Sequence, residues 1–192
     1  GVVKPLSLGL ISHVKGVSAK QLKAGIVAQV NTCHAFRLKP TELVIDPERG
    51  LRVAAKSTGI DVTEVGPGDH VPEAENMILV CRNIARPTVQ SLPYVMPRSM
   101  VKALGMYTMR RRNIFHTTAT GEIPLEAATG VKVDARELAI GFGDHVEVRV
   151  RPKRGMTSRM DERTRSAVAL YPFGKYGMWR VLFTDTWTEG AS

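Results

Sequence analysis

Cysteine is nearly missing from this chain: Cys33 and Cys81 are the two among 192 residues. Their spacing is neither CxxC nor any zinc pattern, so neither a disulfide scaffold nor a zinc site is expected. Long apolar runs are also missing. None approaches the ~20 residues a membrane helix requires, and the opening GVVKPLSLGLISHV is too short and too interrupted for the apolar core of a signal peptide. The chain opens on Gly1 rather than Met, so a processed start is expected: a removed targeting sequence, a polyprotein neighbour or a tag. There is no GxxxxGK[ST] phosphate loop and no G-x-S-x-G nucleophile elbow. The Gly-x-Gly elements lack the third glycine of a dinucleotide fingerprint and open no helix. Carboxylates are too scattered to nominate an acid and base pair. No cofactor and no enzymatic activity are expected.

Positive charge is plentiful. Lys and Arg total 27 against 18 Asp and Glu, a formal net charge of +9, and the distribution is patchy. Residues 98 to 112 carry Arg98, Lys102, Arg110, Arg111 and Arg112 with no acid. Residues 149 to 165 carry Arg149, Arg151, Lys153, Arg154, Arg159, Arg163 and Arg165 against Asp161 and Glu162. Concentrated patches attract a polyanion better than the same charge spread out, which makes nucleic acid the leading partner class. Hydrophobic content of 43% with 23% charged residues is that of a folded protein rather than a disordered one.

The organisation suggests two units. Gly66-Pro67-Gly68-Asp69-His70-Val71 parallels Gly141-Phe142-Gly143-Asp144-His145-Val146, Thr58 to Val62 parallels Thr129 to Val133, and Lys23-Ala24 followed by Phe36 parallels Lys102-Ala103 followed by Phe115. If this is a duplication, residues 18–82 and 97–151 superpose. The expected units are 1–82 and 98–192, joined by a Pro-rich linker over 83–97. Ser18-Ala19-Lys20-Gln21 has the form of a capping box, with Val17 and Leu22 placed for a hydrophobic staple. It opens a helix to about Phe36 with Leu22, Ile26, Val30 and Cys33 on its apolar face. Pro97 suits the first turn of a second helix, buried through Met100, Val101, Leu104 and Met109 and ending in three arginines. Leu6 to Val14, Glu42 to Ile45, Leu51 to Ala55 and Met77 to Cys81 read as short strands.

The strongest local pattern is His145-Val146-Glu147-Val148-Arg149-Val150-Arg151, whose alternation is that of a half-buried strand. Ser166 to Tyr171 returns beside it, which makes residues 145–171 a hairpin with a polar, cationic tip. Arginine suits phosphate because its planar fork donates two parallel hydrogen bonds to one oxyanion. Ile140-Gly141-Phe142-Gly143, the Val-rich strand and Arg151-Pro152-Lys153-Arg154-Gly155 together resemble the base of the arm in bacterial histone-like DNA-binding proteins. Phe173-Gly174-Lys175 falls where that family's chain leaves its arm. The resemblance is local, without the family's tip turn or its two-helix beginning, and implies a convergent basic hairpin.

His70 and His145 each follow Gly-x-Gly-Asp. A turn explains these residues better than a metal site: glycine supplies positive φ, aspartate bonds the local backbone, and neighbouring Asp and His point to opposite faces of a strand. Near the end of the chain Trp179, Val181 and Phe183 read as one face of a final core strand. The expected fold is α+β, with two small units each packing an amphipathic helix on short antiparallel strands, plus a basic hairpin arm. The expected function is a non-enzymatic nucleic-acid-binding component, RNA favoured over DNA, of an intracellular assembly such as a ribonucleoprotein particle. Its binding residues would be Arg110, Arg111, Arg112, Arg149, Arg151, Lys153, Arg154, Arg159, Arg163 and Arg165. The alternative is a structural subunit of a capsid, filament or multiprotein complex whose arm clasps an acidic neighbour.

Overall fold

The computed structural model describes residues 1–4, 6–46, 48–66, 71–118, 121–150, 164–173 and 178–186. They form a mixed α+β fold with three small sheets. The chain divides into two compact units, each assembled from two segments: Gly1–Ile84 with Arg111–Lys132, and Ala85–Arg110 with Val133–Ser192.

In the first unit, strands β1 (Val2–Val3) and β2 (Leu8–Gly9) pair antiparallel. Helix α1 (Ala19–Ala35) starts where the capping residues place it, with the Gln21 amide donating to the Ser18 hydroxyl at 3.4 Å. The Gln21 side chain accepts from the Ser18 hydroxyl at 2.9 Å, closing the box through the side chain. Val17 is 76% exposed, so the expected staple does not form. Gly25 weakens a helix by about 1 kcal/mol relative to alanine. Its place in α1 follows from packing, since a Cβ there would lie 2.8 Å from Val14 Cγ1. Strand β3 (Glu42–Ile45), helix α2 (Arg49–Lys56) and strand β4 (Asp61–Glu64) then make a βαβ unit, β3 and β4 pairing in parallel from Glu42↔Asp61 to Ile45↔Glu64. A parallel pair needs such a crossover.

Helix α3 (Pro72–Gln90) and helix α4 (Val101–Phe115), entered through a 3-10 turn at Arg98–Met100, each contribute residues to both units. Helix α5 (Pro124–Thr129) completes the first unit and stops at Gly130, whose φ of 67° lets its amide bond Glu126 O at 2.7 Å. In the second unit, the short helix α6 (Ala135–Leu138) precedes an antiparallel sheet in the order β5 (His145–Arg149), β6 (Thr164–Phe173), β7 (Met178–Phe183). Its core joins Met100 of the 3-10 turn and Ala103, Leu104 and Tyr107 of α4 to Phe142 and Val168, with Trp179 and Leu182 packed against them. The tilted Tyr107 ring lies 5.6 Å from Phe142 and 6.4 Å from Trp179, centroid to centroid.

Several expectations are corrected. Leu51 to Ala55 and Met77 to Cys81 are helical, within α2 and α3, because each short apolar run is one stripe of an amphipathic turn rather than an alternating strand. Of Leu6 to Val14, only Leu8–Gly9 is strand. Residues 83–90 belong to α3, which passes through Pro87, so the linker over 83–97 is in part a helix. Val101 is 54% exposed and lies off the buried stripe that Met100, Leu104 and Met109 form. Of the three arginines, Arg112 falls in the last turn of α4 and Arg110 and Arg111 just before it. The two halves also part company after their shared motif. Val71 leads directly into α3, whereas Val146 lies in a strand, so the structure does not carry the duplication. Residues 67–70 of the first motif lie outside the described residues.

Candidate nucleic-acid interface

The second basic cluster begins on β5. There His145, Glu147 and Arg149 are exposed while Val146 and Val148 are half-buried, as the alternation predicts. Arg149 stands opposite Thr164 and Glu147 opposite Ser166 in the antiparallel register with β6. Arg165 forms an ion pair with Asp185, and its guanidinium carbon lies 4.2 Å from the centroid of the Phe183 ring. Arg151, Lys153, Arg154, Arg159 and Arg163, the tip of the expected arm, lie outside the described residues. The described flanks of the hairpin, β5 and β6, are paired.

The motif before β5 is a turn. Gly143 has φ 88°, and the Asp144 carboxylate accepts from the Gly141 amide at 2.6 Å. A side chain at Gly143 is excluded, since a Cβ would sit 2.1 Å from Leu92 Cδ2, and its carbonyl accepts from the Tyr94 hydroxyl at 3.2 Å. His145 is exposed, with Nε2 4.0 Å from Glu147 Oε1. Among the described residues no three His, Cys, Asp or Glu side chains gather as a metal site, and no disulfide joins Cys33 and Cys81. Burial pushes the Cys33 thiol above its ordinary value.

The first basic cluster is used internally. Successive residues of a helix lie about 100° apart, so Arg110, Arg111 and Arg112 face three directions. Arg110 donates a parallel pair of hydrogen bonds to Glu137, Nε to Oε1 at 2.8 Å and Nη2 to Oε2 at 2.7 Å. Arg111 is 6% exposed, with its guanidinium 5.8 Å from the centroid of Phe115. Arg112 is 5% exposed and donates to the Ser7 carbonyl and, at 3.2 Å, to Asn113 Oδ1. Burial lowers its pKa from the ordinary guanidinium value. Asn113 in turn grips Gly9 as a strand would, accepting from its amide at 2.8 Å and donating to its carbonyl at 2.7 Å. Phosphate contact by these three arginines would require them to leave such partners or their buried sites.

One arrangement was not visible in the sequence. Because β3 and β4 are parallel, their carboxyl ends lie at the same edge, the position at which α/β units place ligands. Asp46 follows β3 there and is exposed. Glu73 and Glu75 lie in the first turn of α3, the element that follows β4. Glu73 Oε1 is 2.5 Å from Lys4 Nζ, and that hydrogen bond holds its carboxyl below the usual range. The signal was the βαβ crossover, hidden by reading α2 as a strand.

No family model matches the chain, and no curated protein matches it in sequence. Its fold is similar to that of a chain in the cryo-EM structure of a simian T-cell lymphotropic virus intasome in complex with PP2A regulatory subunit B56 gamma. The TM-score is 0.53 at 11% identity, over 95% of this chain and 68% of the other. At that identity the likeness is one of fold. No helix among the described residues is long and apolar enough to cross a membrane.

Proposed function

We propose that this chain is a nucleic-acid-binding component of a larger nucleoprotein assembly of the intasome kind, working beside other protein subunits and non-enzymatic in itself. The observation that carries the reading is the concentration of cationic side chains between Arg149 at the end of β5 and Arg165 at the start of β6. The fold likeness over nearly the whole chain supports it by analogy. Binding of this kind releases counterions, so affinity falls steeply with salt. Replacing Arg154, Arg159 and Arg163 with alanine is expected to flatten the slope of log affinity against log salt by about two units with either RNA or DNA. Anisotropy titrations across a salt series measure this. An unchanged slope together with a lost oligomer would favour the arm as a clasp for a protein neighbour and sink the nucleic-acid reading.

A second reading, that the first unit takes part in phosphoryl transfer on the nucleic acid, is favoured by the position of Asp46 at the carboxyl end of β3, with Glu73 and Glu75 opening α3. A carboxylate so placed serves as a general base. On this reading Asp46→Asn lowers nicking of a labelled duplex by about a hundredfold or more while leaving binding intact. Wild-type protein that never nicks DNA removes this reading and leaves the first in place.

A further inference from the structure

Beside the outer row of β5 lies a cavity of about 320 Å³ lined by Glu147, Thr164, Arg165, Ser166, Thr184 and Asp185, polar side chains throughout. Their hydrogen bonds hold the lining in place. The Ser166 hydroxyl donates to Glu147 Oε1 at 2.6 Å, and the Thr184 hydroxyl donates to the Ser166 carbonyl at 3.1 Å. Arg165 is fixed between Asp185 and the ring of Phe183.

These features narrow the ligand class. Arg165 and Asp185 neutralise one another, so the uncompensated charge of the lining is the Glu147 carboxylate, which repels a free phosphate and accepts from a donor. A polar group that offers a donor to Glu147 fits such a lining. The volume is at the small end of ligand pockets and suits a single ring system. Exposed Arg149, one step along the same outer face, is placed for the phosphate of the strand that carries the base.

We propose that this cavity is a subsite for one unpaired nucleobase with an exocyclic amino group, cytosine above all, read by the Glu147 carboxylate. The inference rests on the nucleic-acid reading above and deepens it. The cytosine amino group donates where the thymine O4 can only accept, so a carboxylate accepts the first and repels the second. The hydrogen bond from Ser166 holds the Glu147 carboxyl below the usual range, so it remains an acceptor at neutral pH.

The test compares a labelled short oligodeoxycytidylate with an oligothymidylate of the same length, by anisotropy on the full chain at neutral pH and low salt. Wild type is expected to bind the cytosine strand about fivefold more tightly, the low end for one base contact. Glu147→Ala brings that affinity down to the thymine level without weakening thymine binding. Glu147 is exposed, so the variant is expected to fold, which circular dichroism checks. Equal wild-type affinities with steep salt dependence overturn the subsite and leave the nucleic-acid reading standing. A variant that weakens both strands in proportion also overturns it, because Glu147 would then be structural. Salt-dependent binding of neither strand overturns both.

Discussion

Replacing Glu137 with alanine is expected to cost the second unit about 3 kcal/mol, the lower end of what breaking a buried ion pair costs. Its carboxylate is 2% exposed and takes both oxygens' hydrogen bonds from Arg110, whose side chain is 19% exposed. Removing the acid strands a largely desolvated guanidinium in the fold, and the remaining access to water keeps the loss from reaching the 5 kcal/mol seen for full burial. Denaturant unfolding of Glu137→Ala and Arg110→Ala and of the pair Arg110→Leu with Glu137→Leu separates the causes. The singles are expected to lose stability and the apolar pair to recover most of it. A pair as unstable as either single would mean that geometry, rather than an uncompensated charge, sets the cost.

The second large effect is expected at Asn113. Its amide satisfies both the amide and the carbonyl of Gly9, each bond buried. Asn113→Ala leaves two backbone groups without partners and is expected to destabilise the first unit by about 2 to 6 kcal/mol, at 1 to 3 kcal/mol for each orphaned group. Native-state hydrogen exchange at Gly9 reads the same event locally. Protection of that amide should fall well beyond the loss seen across α2. An unchanged rate at Gly9 would show that the pairing does not exist in solution.

Where the chain signalled its own structure, the signal was local. Ser18 and Gln21 announce α1 because a cap is decided within four residues, and the valines of β5 announce a half-buried strand because side chains alternate there. Pro97 marks the approach to α4 for the same reason. The misreadings arose where the deciding partner is far away in sequence. Leu51 to Ala55 has the composition of a strand and becomes helix within a βαβ crossover, which only pairing between β3 and β4 reveals. Pro87 reads as a linker residue yet sits inside α3. Charge alone does not separate Arg110, committed to Glu137 twenty-seven residues on, from Arg149, which is exposed on β5. The candidate interface was therefore legible as a stretch of chain but not as a set of side chains. The lining of the Glu147 cavity required the β5–β6 register and the turn after β7.

Helices α3 and α4 each serve two units, and this shapes how the molecule can be made and cut. During synthesis the first unit cannot close when its first 84 residues have emerged, because Asn113 and α5 are still to come. Its final pairing spans 104 residues, which favours slow closure. No single scissile point yields both units whole. Cleavage after residue 84 separates the first unit from its own second segment and leaves the remainder holding both segments of the second unit with that stranded segment between them. A version shortened to the first 84 residues would thus lack part of the first unit, and dissection by point substitution is the sounder route.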